Sequence, residues 1–240
     1  MTNMKKTANK CGVNFTLREY STGKPYLYFN FINEYAEDLK RDRVFATGGQ
    51  YAANLVGFEG KIEGTIKIST QIIPIELIAL AAGGNVATGA DVAVREIIKV
   101  TEAGKLTLSE APIAGSLYVY KLDKDCEGDP AATEATAKAV TIEGAVVGDK
   151  YVAYYFKTST DAKTVVFNEN NTSDFYTLDG YTKMKDTDGL DSMEYVKGYK
   201  LQPQQAITLT YNGGSDPISL DVTFDILTDD EGNAYSHTRV

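Results

Sequence analysis

The sequence predicts a mainly β protein with one short helix, in which a small β-sandwich interrupts a larger β domain. Three observations predict it. Tyr (16), Phe (9) and Gly (21) are frequent and Trp is absent, a mix that with many Thr and Val favours strands and turns. Two long stretches, Phe58–Ile68 and Ile218–Ile226, alternate apolar and polar residues, as a strand with one buried face must. Between them, short apolar segments recur about every ten residues, separated by Gly- and Asp-containing turns, the pattern of a compact sandwich.

In chain order, residues 1–14 read as a mobile polar arm. Tyr26–Ile32 (YLYFNFI) is a strand with aromatic side chains on both faces. Asn33–Arg43 (NEYAEDLKRDR) mixes charges of both signs and reads as a solvated short helix or loop, and Ala46–Tyr51 as a glycine-marked turn. From Gly57 the alternation places Phe58, Gly60, Ile62, Gly64, Ile66 and Ile68 on the buried side, and Glu59, Lys61, Glu63, Thr65, Lys67 and Ser69 on the other. Pro74, Ile75, Leu77, Ile78, Leu80 and Ala81 then predict a short apolar helix, with proline near its first turn and Gly83-Gly84 as its stop.

Val86–Ala90 reads as a connector. Val92–Val100, Lys105–Ser109, Ser116–Leu122, Lys138–Ile142, Tyr151–Thr158 and Lys163–Asn168 are the expected sandwich strands. The expected division is therefore a discontinuous domain, 1–91 with 168–240, and an insertion over 92–167. The first texture returns at Phe175-Tyr176. Ile207–Tyr211, the turn Asn212-Gly213-Gly214 and the strand Ile218–Ile226, with Pro217 at its start, predict a closing hairpin. Asp229–Asn233 ends the sheet, and a tail follows.

Charge and motifs argue against most chemistries. The formal charge is −9, so there is no basic surplus with which to displace counterions from nucleic acid. Cys11 and Cys126 are expected as free thiols. The N-terminus lacks the apolar run of a leader, and Ile72–Ala82 is too short to span a bilayer. The single histidine, His237, lies near the C-terminus in the expected tail, which disfavours triads and zinc sites. No phosphate-binding or dinucleotide glycine loop is present. Asp123, Asp125, Glu127 and Glu134 copy some positions of a calcium loop, but Pro130 and strand-like flanks favour a solvated acidic turn. Asp186–Asp191 is a second acidic turn. No convergent acid–base set can be named, so neither an enzyme nor a cofactor is expected.

Gly57–Gly84, with its strand running into "STQ…ELIALAAGG", resembles the strand–helix core of tailed-bacteriophage tail tube proteins (major tail proteins). Phe175–Tyr181, Thr208–Thr210 and Asp221–Asp230 are similar to virion structural proteins of the same kind. The resemblance implies a tail-tube-like β-barrel or sandwich carrying an inserted immunoglobulin-like domain. It implies self-assembly into stacked, hexameric rings in the virion, with other tail proteins as partners. DNA would pass without specific binding, and no membrane would be involved. On it, Glu59, Lys61, Glu63, Lys67, Asp221 and Asp225 are candidates to line the lumen. Tyr26, Tyr28, Phe29, Lys40, Arg41 and Arg43 are candidates for subunit contacts. A capsid decoration or adhesion module and a carbohydrate-binding protein are the competing classes.

Overall fold

The computed structural model describes residues 7–9, 12–48, 53–211, 213–214 and 217–240. Its strands are β1 (Thr7–Asn9), β2 (Asn14–Glu19), β3 (Pro25–Phe29), β4 (Ile32–Gly48), β5 (Ala53–Thr70), β6 (Val86–Lys99), β7 (Lys105–Thr107) and β8 (Tyr118–Lys121). They continue with β9 (Ala139–Thr141), β10 (Lys150–Val165), β11 (Tyr176–Asp186), β12 (Asp191–Pro203), β13 (Leu220–Leu227) and β14 (Tyr235–Arg239). The one α-helix among the described residues, α1, spans Ile75–Ala82. The mainly β class with one short helix therefore holds. The chain divides into two compact units, one of residues 1–86 and 165–240 and the other of residues 87–164.

The first unit is an antiparallel sheet of order β3-β2-β11-β12-β13-β5-β4, with β1 beside β11 and β14 beside β12. The path is open: β3 and β4 each pair on one edge only among the described strands, so no closed barrel forms. One face curls around a core built by Phe15, Leu17, Phe29, Ile66, Ile68, Leu178, Leu201 and Phe224, closed by Leu77 and Leu80 of α1. Each such side chain contributes about 1.5–3 kcal/mol by leaving water. The helix starts at Pro74, whose extended backbone (φ −66°, ψ 152°) serves as its N-cap. It stops at Gly83, which takes the left-handed conformation (φ 66°) that a Cβ would strain. Gly83 N–H donates to Leu80 O (3.2 Å) and Gly84 N–H to Ala79 O (2.9 Å), which satisfies the last carbonyls.

The two alternating stretches are neighbours in this sheet. β13 pairs with β5 from Leu220↔Thr70 to Asp225↔Thr65. Leu220, Val222, Phe224 and Ile226 point inward with Ile66 and Ile68, leaving Asp221, Thr223 and Asp225 on the outer face with Thr65 and Lys67.

Several sequence expectations give way to tertiary pairing. Asn33–Arg43 is neither helix nor loop but the centre of β4, where β5 recruits it and its charges meet opposite charges across the strands. The expected strand over Tyr26–Ile32 breaks after Phe29, and Ile32 opens β4. The connector Val86–Ala90 is the start of β6, and the expected strand at Lys163 is the end of β10. The expected C-terminal tail forms β14, which pairs with β12 from Tyr235↔Gly198 to Arg239↔Glu194. Ile207–Tyr211 joins no ladder among the described residues; β13 takes β12 and β5 as its partners instead. Of the expected N-terminal arm, residues 1–6, 10 and 11 lie outside the described residues, as do Gly49–Tyr51 and Asn212 of the expected turns.

The second unit holds a three-stranded sheet, β6-β10-β8, and a two-stranded one, β7-β9. They share a separate core around Leu106, Leu117, Val119, Val140, Ile142, Ala153 and Tyr155. A single 3-10 turn at Leu122–Lys124 follows β8.

Candidate assembly surface

The β4–β5 ribbon has two halves with different surroundings. Near its base, β13 flanks β5 over Thr65–Thr70, and Ile66 and Ile68 are fully buried. Beyond that point β4 and β5 have only each other, Leu39 pairing with Gly64 and Gly48 with Ala53. At about 3.3 Å per residue, this distal half extends for roughly 30 Å.

Its apolar residues are uncovered: Val44 is 68% exposed, Phe58 61%, Val56 52%, Leu55 67% and Phe45 45%. The register Val44↔Phe58 and Ala46↔Val56 puts Val44, Val56 and Phe58 together on one face, while Phe45 lies against Gly57 on the other. A lone two-stranded ribbon is marginal in water, and grouped exposed apolar side chains mark a surface that binds something.

Phe58 was expected inside. The register shifts between Arg41↔Ile62 and Arg43↔Glu59, which inserts one extra residue into β5. Such a bulge reverses the faces beyond it, so the unbroken apolar alternation in the sequence does not keep Phe58 on the side of Ile62 and Ile66. Sequence reasoning missed Val44, Phe45, Leu55 and Val56 as surface residues. The β-forming pairs Val44-Phe45 and Leu55-Val56 are the signal that could have found them as strand residues.

The bulge also divides the lumen candidates. Glu63, Lys67, Asp221 and Asp225 share the outer face of β5 and β13, and Lys61 reaches it through its ion pair with Glu63. Glu59 falls on the opposite face with Arg41 and Arg43. Three interface candidates turn out to be intrachain partners of lumen candidates. Lys40 Nζ lies 3.2 Å from Glu63, Arg43 Nη2 lies 3.7 Å from Glu59, and Arg41 also pairs with Glu59. Lys67 Nζ lies 2.6 Å from Asp221, and Gln204 Nε2 donates to Asp225 at 2.6 Å.

These contacts shift the charged groups. Hydrogen bonds from Lys61 and Lys40 hold Glu63 below the usual carboxylate range, and Arg41 does the same for Glu59. Lys67, then Ser69, lowers Asp221, while Asp221 raises Lys67.

The aromatic candidates separate by burial. Phe29 is fully buried in the core, which removes it from any surface open to a partner. Tyr26 is half-buried, its ring 5.4 Å from that of Tyr176 and its hydroxyl donating to Glu76 O at 3.3 Å. Tyr28 is exposed beside Tyr181, whose ring centroid lies 6.4 Å from that of Tyr195.

His237 is not in a frayed tail. It sits in β14, with Nε2 2.8 Å from Glu37 of β4 and Nδ1 3.2 Å from Glu194 of β12. Arg239 adds a contact to Glu194 at 3.2 Å, and Tyr35 donates to Glu37 at 2.8 Å. This polar cluster ties the base of β4 to β14.

In the second unit, Asp125 is held by Arg95 Nη2 (2.8 Å) and the Tyr154 hydroxyl (2.8 Å), hydrogen bonds that lower its pKa. Glu127 and Glu134 are exposed, and Cys126 is an exposed free thiol; Cys11 lies outside the described residues. No three His, Cys, Asp or Glu side chains among the described residues are placed to hold a metal ion. No helix among the described residues is long and apolar enough to cross a membrane.

An open β sheet whose long edge ribbon displays apolar residues defines a class of protein that presents a binding surface of its own. The family model of the YomU/Tube protein family matches residues 12–238. The chain belongs to that family, and with it to the phage-derived, tube-like structural proteins of the virion. None of the curated proteins matches it.

Proposed function

We propose that this chain is the subunit of a phage tail tube, which self-assembles into stacked, hexameric rings through which the genome passes. The observation that carries the reading is the distal β4–β5 ribbon: Val44, Val56 and Phe58 stay in water until another copy covers them. The open sheet supports it as well. β4 leaves a long edge free, and such an edge joined head to tail to another copy closes into a ring when the rotation fits.

On this reading the outer face of β5 and β13, with Glu63, Asp221 and Asp225, lines the lumen, and the net charge of −9 keeps DNA from adhering. Lys40, Arg41, Arg43 and Tyr28 lie at subunit contacts. The chain catalyses nothing and carries no cofactor. The second unit is an immunoglobulin-like insertion with its own core. Its partners are its own copies and other tail proteins.

Negative-stain microscopy of the purified protein over a concentration series tests the assembly. Rings or filaments are expected at high concentration, and a monomer at every concentration would overturn the reading. Reversing the charges of Lys40, Arg41 and Arg43 together is expected to impair ring formation.

A further inference from the structure

The segment Ala206–Tyr211 (AITLTY) has the composition and alternation of a strand, yet it pairs with none of the described strands. It is held in place all the same. Gln204 N–H donates to Thr223 O at 2.9 Å, and Ile207 and Leu209 pack on the main core, leaving Ala206, Thr208 and Thr210 exposed and Tyr211 77% exposed.

The expected hairpin ladder between 207–211 and the strand after Pro217 is absent among the described residues. β13 has β5 on one edge along Leu220–Asp225, but β12 covers its other edge only from Phe224 onward. A cleft of about 660 Å³ opens where the hairpin ladder would run, with Thr208 and Thr210 on one side and Ser219 and Asp221 on the other. A strand residue within a sheet occupies roughly 160 Å³, from its rise, its strand spacing and its layer thickness, so the gap is about four residues in size.

We infer that Ala206–Tyr211 is a preset strand completed by a second copy of this chain, whose distal β4, Arg43–Thr47, pairs with it edge to edge. The inference rests on the tube reading and names the contact. In the first unit β1, β3 and β14 offer only short free edges, and β5 is open only before Thr65. β3 has five residues and begins with Pro25, which has no N–H to give, whereas β4 has seventeen and keeps one edge open throughout. Tyr211 on one copy and Val44 on the other, 77% and 68% exposed, would be covered in the same contact. Because segment and edge lie on different parts of the subunit, the contact is heterologous, as a ring requires.

Hydrogen exchange of the wild-type protein, free and in rings, tests this. Amides of 207–211 are expected to exchange freely in the free subunit and to slow at least about tenfold in rings, the effect of one or two net hydrogen bonds. Thr208→Pro and Thr210→Pro, each removing one N–H from an exposed position, are expected to leave the melting of the free subunit unchanged. Each should raise the concentration needed for rings by about tenfold. Rings in which 207–211 still exchanges freely, or which both proline variants form at the wild-type concentration, overturn the inference and leave the tube reading standing. Slow exchange already in the free subunit means a closed hairpin and also overturns it. Wild-type protein that never assembles removes the tube reading itself.

Discussion

The base and the tip of the β4–β5 ribbon carry the same kind of sequence and have opposite fates. At the base, Ile66 and Ile68 are fully buried beneath the sheet; at the tip, Val44 and Phe58 stand in solvent. The difference is the third strand. β13 lies against β5 only over Thr65–Thr70, and the core it helps close reaches no further along β5 than Ile62. Alternation states which residues share a face. It does not state whether anything covers that face, and where nothing in the chain does, the cover can come from another molecule.

The comparison can be broken most severely at the base. Ile68→Ala is expected to destabilise the first unit by about 2–5 kcal/mol, read by denaturant unfolding. Gly180→Ala comes next. A Cβ there runs into the ring of Phe15 and crowds Val196, its neighbours on β2 and β12, so a loss of about 1–3 kcal/mol is expected in the same measurement.

At the tip the ordering of effects reverses. Phe58→Ser and Val44→Ser are expected to change free-subunit stability by less than about 0.5 kcal/mol, yet to prevent rings in sedimentation or microscopy. A stability loss there as large as that of Ile68→Ala would show that the tip is packed within the subunit.

The smallest effect concerns the outer face. Contacts with Lys67 and Ser69 depress the folded pKa of Asp221, so its contribution is complete above the unfolded carboxylate value of about 3.9. That contribution disappears as pH falls through the lower folded value. For a pair this exposed it amounts to at most about 1 kcal/mol. Asp221→Asn should therefore flatten the acid limb of a stability–pH curve while leaving the limb above pH 5 parallel to wild type.

Much of the frame was legible because it is local. Pro74 and Gly83 bracket the helix through backbone geometry that needs no distant partner. The alternation of Leu220–Ile226 matches its burial because β5 and the core complete that strand on one side only. The candidate surface was legible in part. Tyr28, Lys40, Arg41 and Arg43 are exposed as a contact surface requires, whereas Phe29 is core and Phe58 is not. A run of aromatics such as YLYFNF carries no mark of which ring faces inward once a strand ends within it.

By itself, then, the sequence determined the β class, the limits of α1 and the inward and outward sides of β13, since each depends on residues a few positions apart. Tertiary structure decided that the charged Asn33–Arg43 becomes a strand, that a bulge near Gly60 turns Phe58 outward, and that His237 joins Glu37 and Glu194. It also decided that Ala206–Tyr211 is left without a ladder. The physical reason is common to all four: a strand becomes part of a sheet only when a partner supplies its hydrogen bonds, and partner and register are set by contacts far away in sequence.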